Sequence, residues 1–382
     1  MGIPVLPVLP MMTHRSLLPG LLLAPWLVAG GALLGGCTAE VAGTPPNAFH
    51  PSDQADGDDD DVPGDDDDDD GPGGDVAPER RTVERVCEVW NRFHQQRETT
   101  VSVGADTASC TPGAMTPEGL DDAHERLNLF RWLNGLNPVS LDDDPATLEA
   151  QQACALMMVA NESLSHGPPA SWSCFSDEGD AAAASNLSIA FGSRTAADSV
   201  DGFMVDGGAN NAQVGHRRHF LNDRLASIGI GAVEGRGLQS GNRWSASCFW
   251  VFDREDTNVS GRPFAAYPNP GPSPIDQVRD GFRDEAVRWS VQSPDFSPEG
   301  ATVSITRVSD GADLPVRPDP GNVGPDGASF RAGGGFGDAI AYVWLPDGWE
   351  PQAGETYRVT VDREVSGPLV YETTLVDCAG AP

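Results

Sequence analysis

Positive charge is scarce in this chain. The 382 residues include 24 Lys and Arg against 57 Asp and Glu, so the formal net charge is −33. Phosphate backbones are bound chiefly by Lys and Arg side chains, and this balance therefore argues against nucleic acid as a partner. Part of the acidity is local, because 13 aspartates fall within residues 51–75, but the remainder of the chain is acidic as well.

Several chemical signatures are also missing. The sequence contains no Cys-x-x-Cys pair, which argues against a thiolate zinc site or a thioredoxin-like redox centre. It contains no His-Glu-x-x-His, no Gly-x-Ser-x-Gly and no glycine-rich phosphate loop. The usual signatures of a metalloprotease, a serine hydrolase and a nucleotide-binding enzyme are therefore absent.

The N-terminus has the organisation of an export signal. After a weakly positive start, residues 17–34 are apolar, and the small residues Gly35 and Gly36 precede Cys37. This resembles the bacterial lipobox, in which the chain is cut before a cysteine that carries lipid. We therefore expect a lipoprotein signal peptide at residues 1–36 and a membrane anchor at Cys37. The alternative is an ordinary signal or a transmembrane anchor with an incidental cysteine.

A stalk is expected after the anchor. Residues 37–80 are rich in Asp, Gly and Pro and lack apolar periodicity, and like charges at this density repel and extend a chain. We interpret them as a disordered tether outside the cytoplasm. Thr38 stands where lipoproteins retained at an inner membrane commonly carry Asp, which favours an outer membrane or the cell surface.

Six cysteines remain when Cys37 is set aside. An even number in an exported protein indicates disulfides, although six cysteines allow 15 pairings and some could stay free. Closeness along the chain favours joining each cysteine to its neighbour. The expected pairs are Cys87–Cys110, Cys154–Cys174 and Cys248–Cys378.

Helical periodicity follows the stalk. Apolar residues recur at helical spacing in four stretches, and Thr195 with Asp198 resembles a capping box in which Asp replaces Glu. Two strand-like runs come next, and helices followed by strands favour an α+β domain with α-β-α layers over residues 81–256. The helices are expected to begin near residues 83, 116, 145 and 195, and the strands to cover 226–233 and 244–252.

A second folded part is expected at the C-terminus. Residues 257–280 are rich in Pro and Gly and are interpreted as a linker. Beyond them, short strand-like runs separated by turn signals predict a small antiparallel, Ig-like β-sandwich over residues 281–382. The expected strands cover 286–291, 301–308, 339–345, 357–361 and 369–376.

Four short motifs within residues 116–253 are informative together. In their order and spacing they closely resemble the CAP superfamily of cysteine-rich secretory proteins, antigen five and plant pathogenesis-related proteins, and in particular its bacterial secreted branch. The resemblance implies a three-layer α-β-α sandwich with a central cleft, the SCP domain. The motifs are Leu127-Asn128-Leu129-Phe130-Arg131, Leu164-Ser165-His166, Gly215-His216-Arg217-Arg218 and Ile228-Gly229-Ile230-Gly231.

The resemblance also implies a set of cleft residues. Two histidines and two acidic residues usually line the cleft in this family, and in several members the histidines bind a divalent metal, often zinc. His166 and His216 match the histidines, and Asp206 matches one of the acids. Ser185 stands where the second acid, a glutamate, is expected. Because a carboxylate beside a liganding imidazole raises its basicity, this loss is expected to weaken metal binding.

Two other histidines have less clear roles. His219 follows His216 by three residues and is an alternative ligand, although a surface position is favoured. His124 is expected to be exposed. Neither lies in a pattern that predicts chemistry by itself.

The leading hypothesis is a binding function. A membrane-anchored, extracytoplasmic CAP domain would present its cleft to a ligand, such as a lipid or another apolar small molecule, or to a metal. One alternative is a metal-dependent hydrolase with His166 and His216 as ligands and Asp206 as base. The other is an adhesion module that acts through the β-sandwich.

Overall fold

The computed structural model describes the part of the chain that follows the acidic stretch. All described residues belong to one compact unit, Pro46–Pro382. The expected signal peptide, Cys37 and the stalk up to residue 75 lie outside the described residues. No helix within them is long and apolar enough to cross a membrane. The described residues are 76–94, 98–252, 258–279, 286–296, 301–319, 337, 340–363 and 367–379.

The helices begin where the sequence places N-capping residues. The side chains of Thr116, Asp144 and Thr195 each accept a hydrogen bond from a backbone N–H of the first turn. Thr195 and Asp198 form a complete capping box. The helices are α1 (Val83–Phe93), α2 (Pro117–Leu133), α3 (Pro145–Asn161), α4 (Asp177–Ala182), α5 (Ala196–Val205), α6 (Gly215–Phe220) and α7 (Asp276–Arg279).

The first sheet has the strand order β1-β3-β4-β2. β3 pairs in parallel with β1 and antiparallel with β4, and β4 pairs antiparallel with β2. α3 packs against one face of this sheet, and α2 and α5 lie on the other. The predicted α-β-α arrangement is therefore confirmed. The strands are β1 (Ser140–Leu141), β2 (Asn186–Phe191), β3 (Ser227–Arg236) and β4 (Arg243–Trp250).

The Ile-Gly-Ile-Gly motif in β3 meets a packing requirement. Side chains alternate along a strand, so Ile228 and Ile230 enter the core shared with α2 and α5, while the glycines face α3. A Cβ atom added to Gly231 would overlap the backbone of Gln151. The missing side chains therefore let α3 lie directly on the sheet.

The C-terminal part consists of two further sheets. Their strand orders are β10-β11-β7-β5 and β6-β13-β12-β8-β9, with all neighbours antiparallel except β6 and β13. Trp289 of one sheet meets Tyr357 of the other edge to face, with ring centres 5.8 Å apart. The strands are β5 (Ala265–Tyr267), β6 (Gly271–Pro274), β7 (Trp289–Ser293), β8 (Ala301–Arg307), β9 (Ala312–Leu314), β10 (Val316–Pro318), β11 (Ile340–Pro346), β12 (Thr356–Arg363) and β13 (Leu369–Val376).

The expected linker at residues 257–280 is corrected by the structure. β5 pairs with β7 and β6 pairs with β13, so this segment supplies edge strands to both sheets. Ile275 and Val278 are buried in the same apolar core as the side chains of the first domain. Pro is tolerated in an edge strand because one side needs no ladder hydrogen bond. A Pro-rich composition therefore did not distinguish a linker from an edge strand.

The three disulfides confirm that the cysteines are paired, but each expected pairing is wrong. Closeness in sequence did not predict the pairing, because the folded chain brings together cysteines that are far apart in sequence. Cys154 on α3 lies over Cys248 on β4, and Cys87 on α1 meets the end of the chain. Three disulfides are typical of proteins from oxidising compartments outside the cytosol. The bonds are Cys87–Cys378, Cys110–Cys174 and Cys154–Cys248.

Replacing both Cys87 and Cys378 with Ser is expected to lower the free energy of unfolding by about 2–5 kcal/mol. The bond spans a sequence separation of 291 residues, against 64 for Cys110–Cys174, so a double Ser variant of the latter pair should lose less. Denaturant unfolding measures both losses. Peptide mapping without reduction tests the pairing, and a Cys87 peptide joined to Cys110 would contradict it.

Candidate functional site

A cavity of about 580 Å³ lies at one end of the first domain. Its wall is built from the loop after α3, the segment that leads into β2, residues 209–213 and α6. Three of the residues singled out from the sequence, His166, Ser185 and His216, lie together on this wall. The other lining side chains include Asn186, Asn210, Asn211, Gln213, His219 and Phe252.

Asp206 lies behind His216 and not on the cavity wall. It ends α5 in the left-handed conformation, with φ of 49°, and its side chain is fully buried. One carboxylate oxygen accepts a hydrogen bond from His216 Nδ1 at 2.8 Å, and the other accepts from the backbone N–H of His216 at 3.0 Å. The carboxylate therefore holds both the ring and the backbone of His216.

This contact sets the charge of His216. Burial by itself lowers the pKa of the imidazole, but the negative charge of Asp206 and the hydrogen bond to it outweigh burial and raise the pKa above its ordinary value of 6.5. The His216 side chain retains 21% exposure. The ring is therefore basic and open to the cavity at the same time.

His166 reaches the cavity from the loop after α3. Its Nδ1 lies 2.9 Å from the carbonyl oxygen of Ala183, which can only accept a hydrogen bond, so Nδ1 carries the proton. The residue is exposed. His166 and His216 thus both use Nδ1 as a donor to the protein, and Nε2 is the remaining nitrogen of each ring.

Ser185 is tied to the protein and not to either histidine. Its hydroxyl contacts the side-chain oxygen of Gln151 at 3.2 Å and the carbonyl of Ala182. The residue is 1% exposed. No Asp or Glu stands among the described residues that line the cavity. The position at which the family has a second acid is therefore filled by a hydrogen-bonded hydroxyl.

Sequence reasoning misplaced two histidines. His219 was expected on the surface but is buried, lines the cavity and contacts the ring of Phe252. His124 was expected to be exposed, yet its Nε2 lies 2.7 Å from the carbonyl oxygen of Val139, and burial lowers its pKa. The spacing of three residues between His216 and His219 could have predicted that both face the cavity, because residues three apart share a helix face.

The segment at residues 209–213 was missed altogether. It begins after Gly207 and Gly208 and contributes amide side chains to the cavity wall. Gly208 has φ of 89°, which permits the chain to turn from the end of α5 towards α6. The Gly-Gly pair after a helix was a turn signal, but nothing local indicated that the turn borders a cavity.

The fold and this site together define a disulfide-bonded α-β-α domain with three histidines, His166, His216 and His219, on one cavity. Residues 124–253 match the family model described as CAP, the cysteine-rich secretory protein family. This part of the chain is therefore a CAP domain, as its motifs predicted. A search of curated proteins found no match to the chain.

Asp206→Asn is expected to lower the pKa of His216, because the amide removes the charge that offsets burial. In the native protein the protonated pair contributes stability that is fully present below pH 6.5 and is lost as pH rises through the raised pKa. The variant should lack this pH dependence. NMR titration of the His216 ring and melting temperatures between about pH 5 and about pH 9 measure the effect.

Asp201→Asn is the matched control. Asp201 carries a carboxylate 3.3 Å from His94, away from the cavity, so its removal should leave the titration of His216 unchanged. An unchanged pKa of His216 in Asp206→Asn would contradict the conclusion that Asp206 raises this pKa.

Proposed function

We propose that this chain is a lipid-anchored, extracytoplasmic CAP-domain protein that binds and does not catalyse. Its cavity holds a divalent cation such as zinc through His166 and His216, together with a small polar ligand. The CAP domain and the three disulfides support an exported protein. The metal, the ligand and the anchor are the parts of this proposal that need tests.

The hydrogen bonds made by Nδ1 of His166 and of His216 are the observation that carries the proposal. Metal-binding histidines almost always donate their other ring N–H to a carboxylate or a backbone carbonyl, which fixes the tautomer and the ring orientation. His216 does this with Asp206, and His166 with the carbonyl of Ala183. Both rings therefore keep the lone pair of Nε2 for a ligand, and both belong to one cavity.

The donor set fits an open site. Within the described ranges, no group of three or more His, Cys, Asp or Glu side chains is arranged to hold a metal. A cation bound by two imidazoles would take its remaining ligands from water or from the bound molecule, as open metal sites do. His216 must be neutral to bind, so affinity should fall as pH drops below its raised pKa.

The cavity wall favours a polar ligand over the apolar one expected from the sequence. Four carboxamide side chains line the cavity, whereas Phe252 is its one large apolar side chain among the described residues. Carboxamides both donate and accept hydrogen bonds and carry no charge, and two of these four, Asn186 and Asn211, already donate to backbone carbonyls of the protein. A neutral molecule with hydroxyl or amide groups, and one apolar face for Phe252, suits this wall. The carboxamides belong to Asn186, Asn210, Asn211 and Gln213.

The position of Asp206 favours binding over hydrolysis. A general base must lie within hydrogen-bond reach of the proton that it removes, directly or through one water. The Asp206 carboxylate is fully buried and already accepts hydrogen bonds from His216 and from the backbone N–H of Arg217 at 3.4 Å. It is thus placed to orient His216 and not to contact a substrate.

His166→Ala and His216→Ala are each expected to weaken Zn²⁺ binding, because each removes one of the two protein ligands. Asp206→Asn should weaken it by about 10–100-fold, as loss of a carboxylate behind a liganding histidine commonly does. Isothermal titration calorimetry at a pH above the raised pKa of His216, where the ring is neutral, measures the affinities.

His94→Ala is the control for the metal measurement, because His94 lies outside the cavity and contacts Asp201. Equal Zn²⁺ affinity in all variants, or no binding by the native protein, would contradict the proposed metal site. Native mass spectrometry of the same samples tests the ligand. A retained lipid, beyond any attached to Cys37, would contradict a polar ligand.

Cys37→Ser is expected to abolish lipid attachment and membrane association. Only the thiol at the cleavage site accepts the lipid, so a hydroxyl there leaves the leader in place. Metabolic labelling with an alkyne fatty acid measures lipid attachment, and mass spectrometry of the N-terminus measures removal of the leader. Cys110→Ser should keep the label. Label on Cys37→Ser, or a native N-terminus other than Cys37, would contradict the anchor.

A further inference from the structure

Arg288 connects the β-sandwich to the cavity. It lies immediately before β7 and is 6% exposed. Its guanidinium donates from Nη1 to the carbonyl oxygen of Asp206 and from Nη2 to that of Gly208, both at 3.1 Å. Nε donates to the Asp319 carboxylate at 2.7 Å. Arg288 of the sandwich thus binds the backbone of Asp206, whose carboxylate contacts His216.

A second arginine, Arg217 of the CAP domain, extends into the sandwich. Arg217 follows His216 on α6, and its Nη1 donates to the carbonyl of Arg288 at 2.9 Å and to the hydroxyl of Ser290 at 2.8 Å. Its guanidinium also lies 4.0 Å from the ring centre of Tyr267 on β5. The sandwich therefore contacts the backbone of Asp206 and the side chain of the residue that follows His216.

The segment that Arg288 contacts needs external support. Asp206 has φ of 49°, in the left-handed region that residues other than glycine seldom adopt. Conformations of this kind persist when surrounding contacts over-determine them. The same segment leads directly into residues 209–213 of the cavity wall. Its backbone position thus decides both where the Asp206 carboxylate lies and where the wall begins.

We infer that Arg288 is a positioning residue for the cavity, so that the β-sandwich is a working part of the CAP site and not an independent module. The planar guanidinium carries five N–H donors in a fixed fork, so one side chain can bind two separate carbonyl oxygens and a carboxylate at once. A lysine at this position would keep the positive charge beside Asp319 but could not hold both carbonyls in the same geometry.

Arg288→Lys in the full chain tests the inference through hydrogen–deuterium exchange. The backbone N–H of His216 donates to the Asp206 carboxylate, so its exchange rate reports directly on the position of that carboxylate. We expect exchange across residues 206–216 to rise at least about tenfold, with protection elsewhere unchanged. This measurement does not depend on metal binding and stays informative if the proposed metal site fails.

A second measurement rests on the proposed function. If the native protein binds Zn²⁺, Arg288→Lys should raise its dissociation constant by about 10–100-fold, as losses of support behind metal ligands commonly do. Arg358→Lys is the matched control, because Arg358 is an exposed sandwich arginine paired with Glu372. Arg358→Lys should change neither the hydrogen–deuterium exchange of residues 206–216 nor the affinity for Zn²⁺.

Three outcomes would overturn the inference. The first is unchanged exchange of residues 206–216 in Arg288→Lys. The second is a loss of protection spread over both sheets of the sandwich and the CAP domain, since Arg288 would then be a general stabilising contact. The third is an equal rise in the exchange of residues 206–216 in Arg358→Lys, because the effect would then not be specific to Arg288.

Discussion

The buried carboxylate of Asp206 is the interaction on which the site depends. A buried charge is costly unless hydrogen bonds and opposite charges compensate it. Here the compensation comes from the His216 ring, from the backbone N–H groups that open α6 and from the positive charge that the ring acquires. The same contacts fix where α6 begins relative to the end of α5. The chemistry of His216 and the packing of two helices are therefore settled by one side chain.

Arginine carries the connections between the parts of this molecule. The chain contains no lysine, so all 24 of its Lys and Arg residues are arginine. Arg131 and Arg217 are fully buried, and both donate to backbone carbonyls of segments distant in sequence. A guanidinium suits this role because its fixed fork satisfies several carbonyl oxygens at once. Among the buried arginines, Arg217 and Arg288 make hydrogen bonds that join the CAP domain to the sandwich.

Local features were predictable because local physics decides them. The N-caps at Thr116, Asp144 and Thr195 start their helices through side-chain contacts within one turn, and β13 covers the predicted residues. His166 and His216 could be named because the short motifs around them resemble those of a known family. Ser185 also stood out, as a hydroxyl where a carboxylate was expected. The disulfide partners, the role of residues 265–279 and the burial of His219 were not predictable in this way, since each depends on which distant segments meet.

Composition and short-range pattern indicated an acidic N-terminal stretch, six cysteines after Cys37 and a set of sandwich strands, and the resemblance of short motifs to a known family indicated the CAP domain. These properties follow from residue types and from spacings within a few turns or strands. Tertiary structure alone decided that the two folded parts share one core, that Cys87 pairs with Cys378 and that Arg288 contacts the carbonyl of Asp206. The reason is that such contacts join residues far apart in sequence, and no local pattern in either segment encodes the partner.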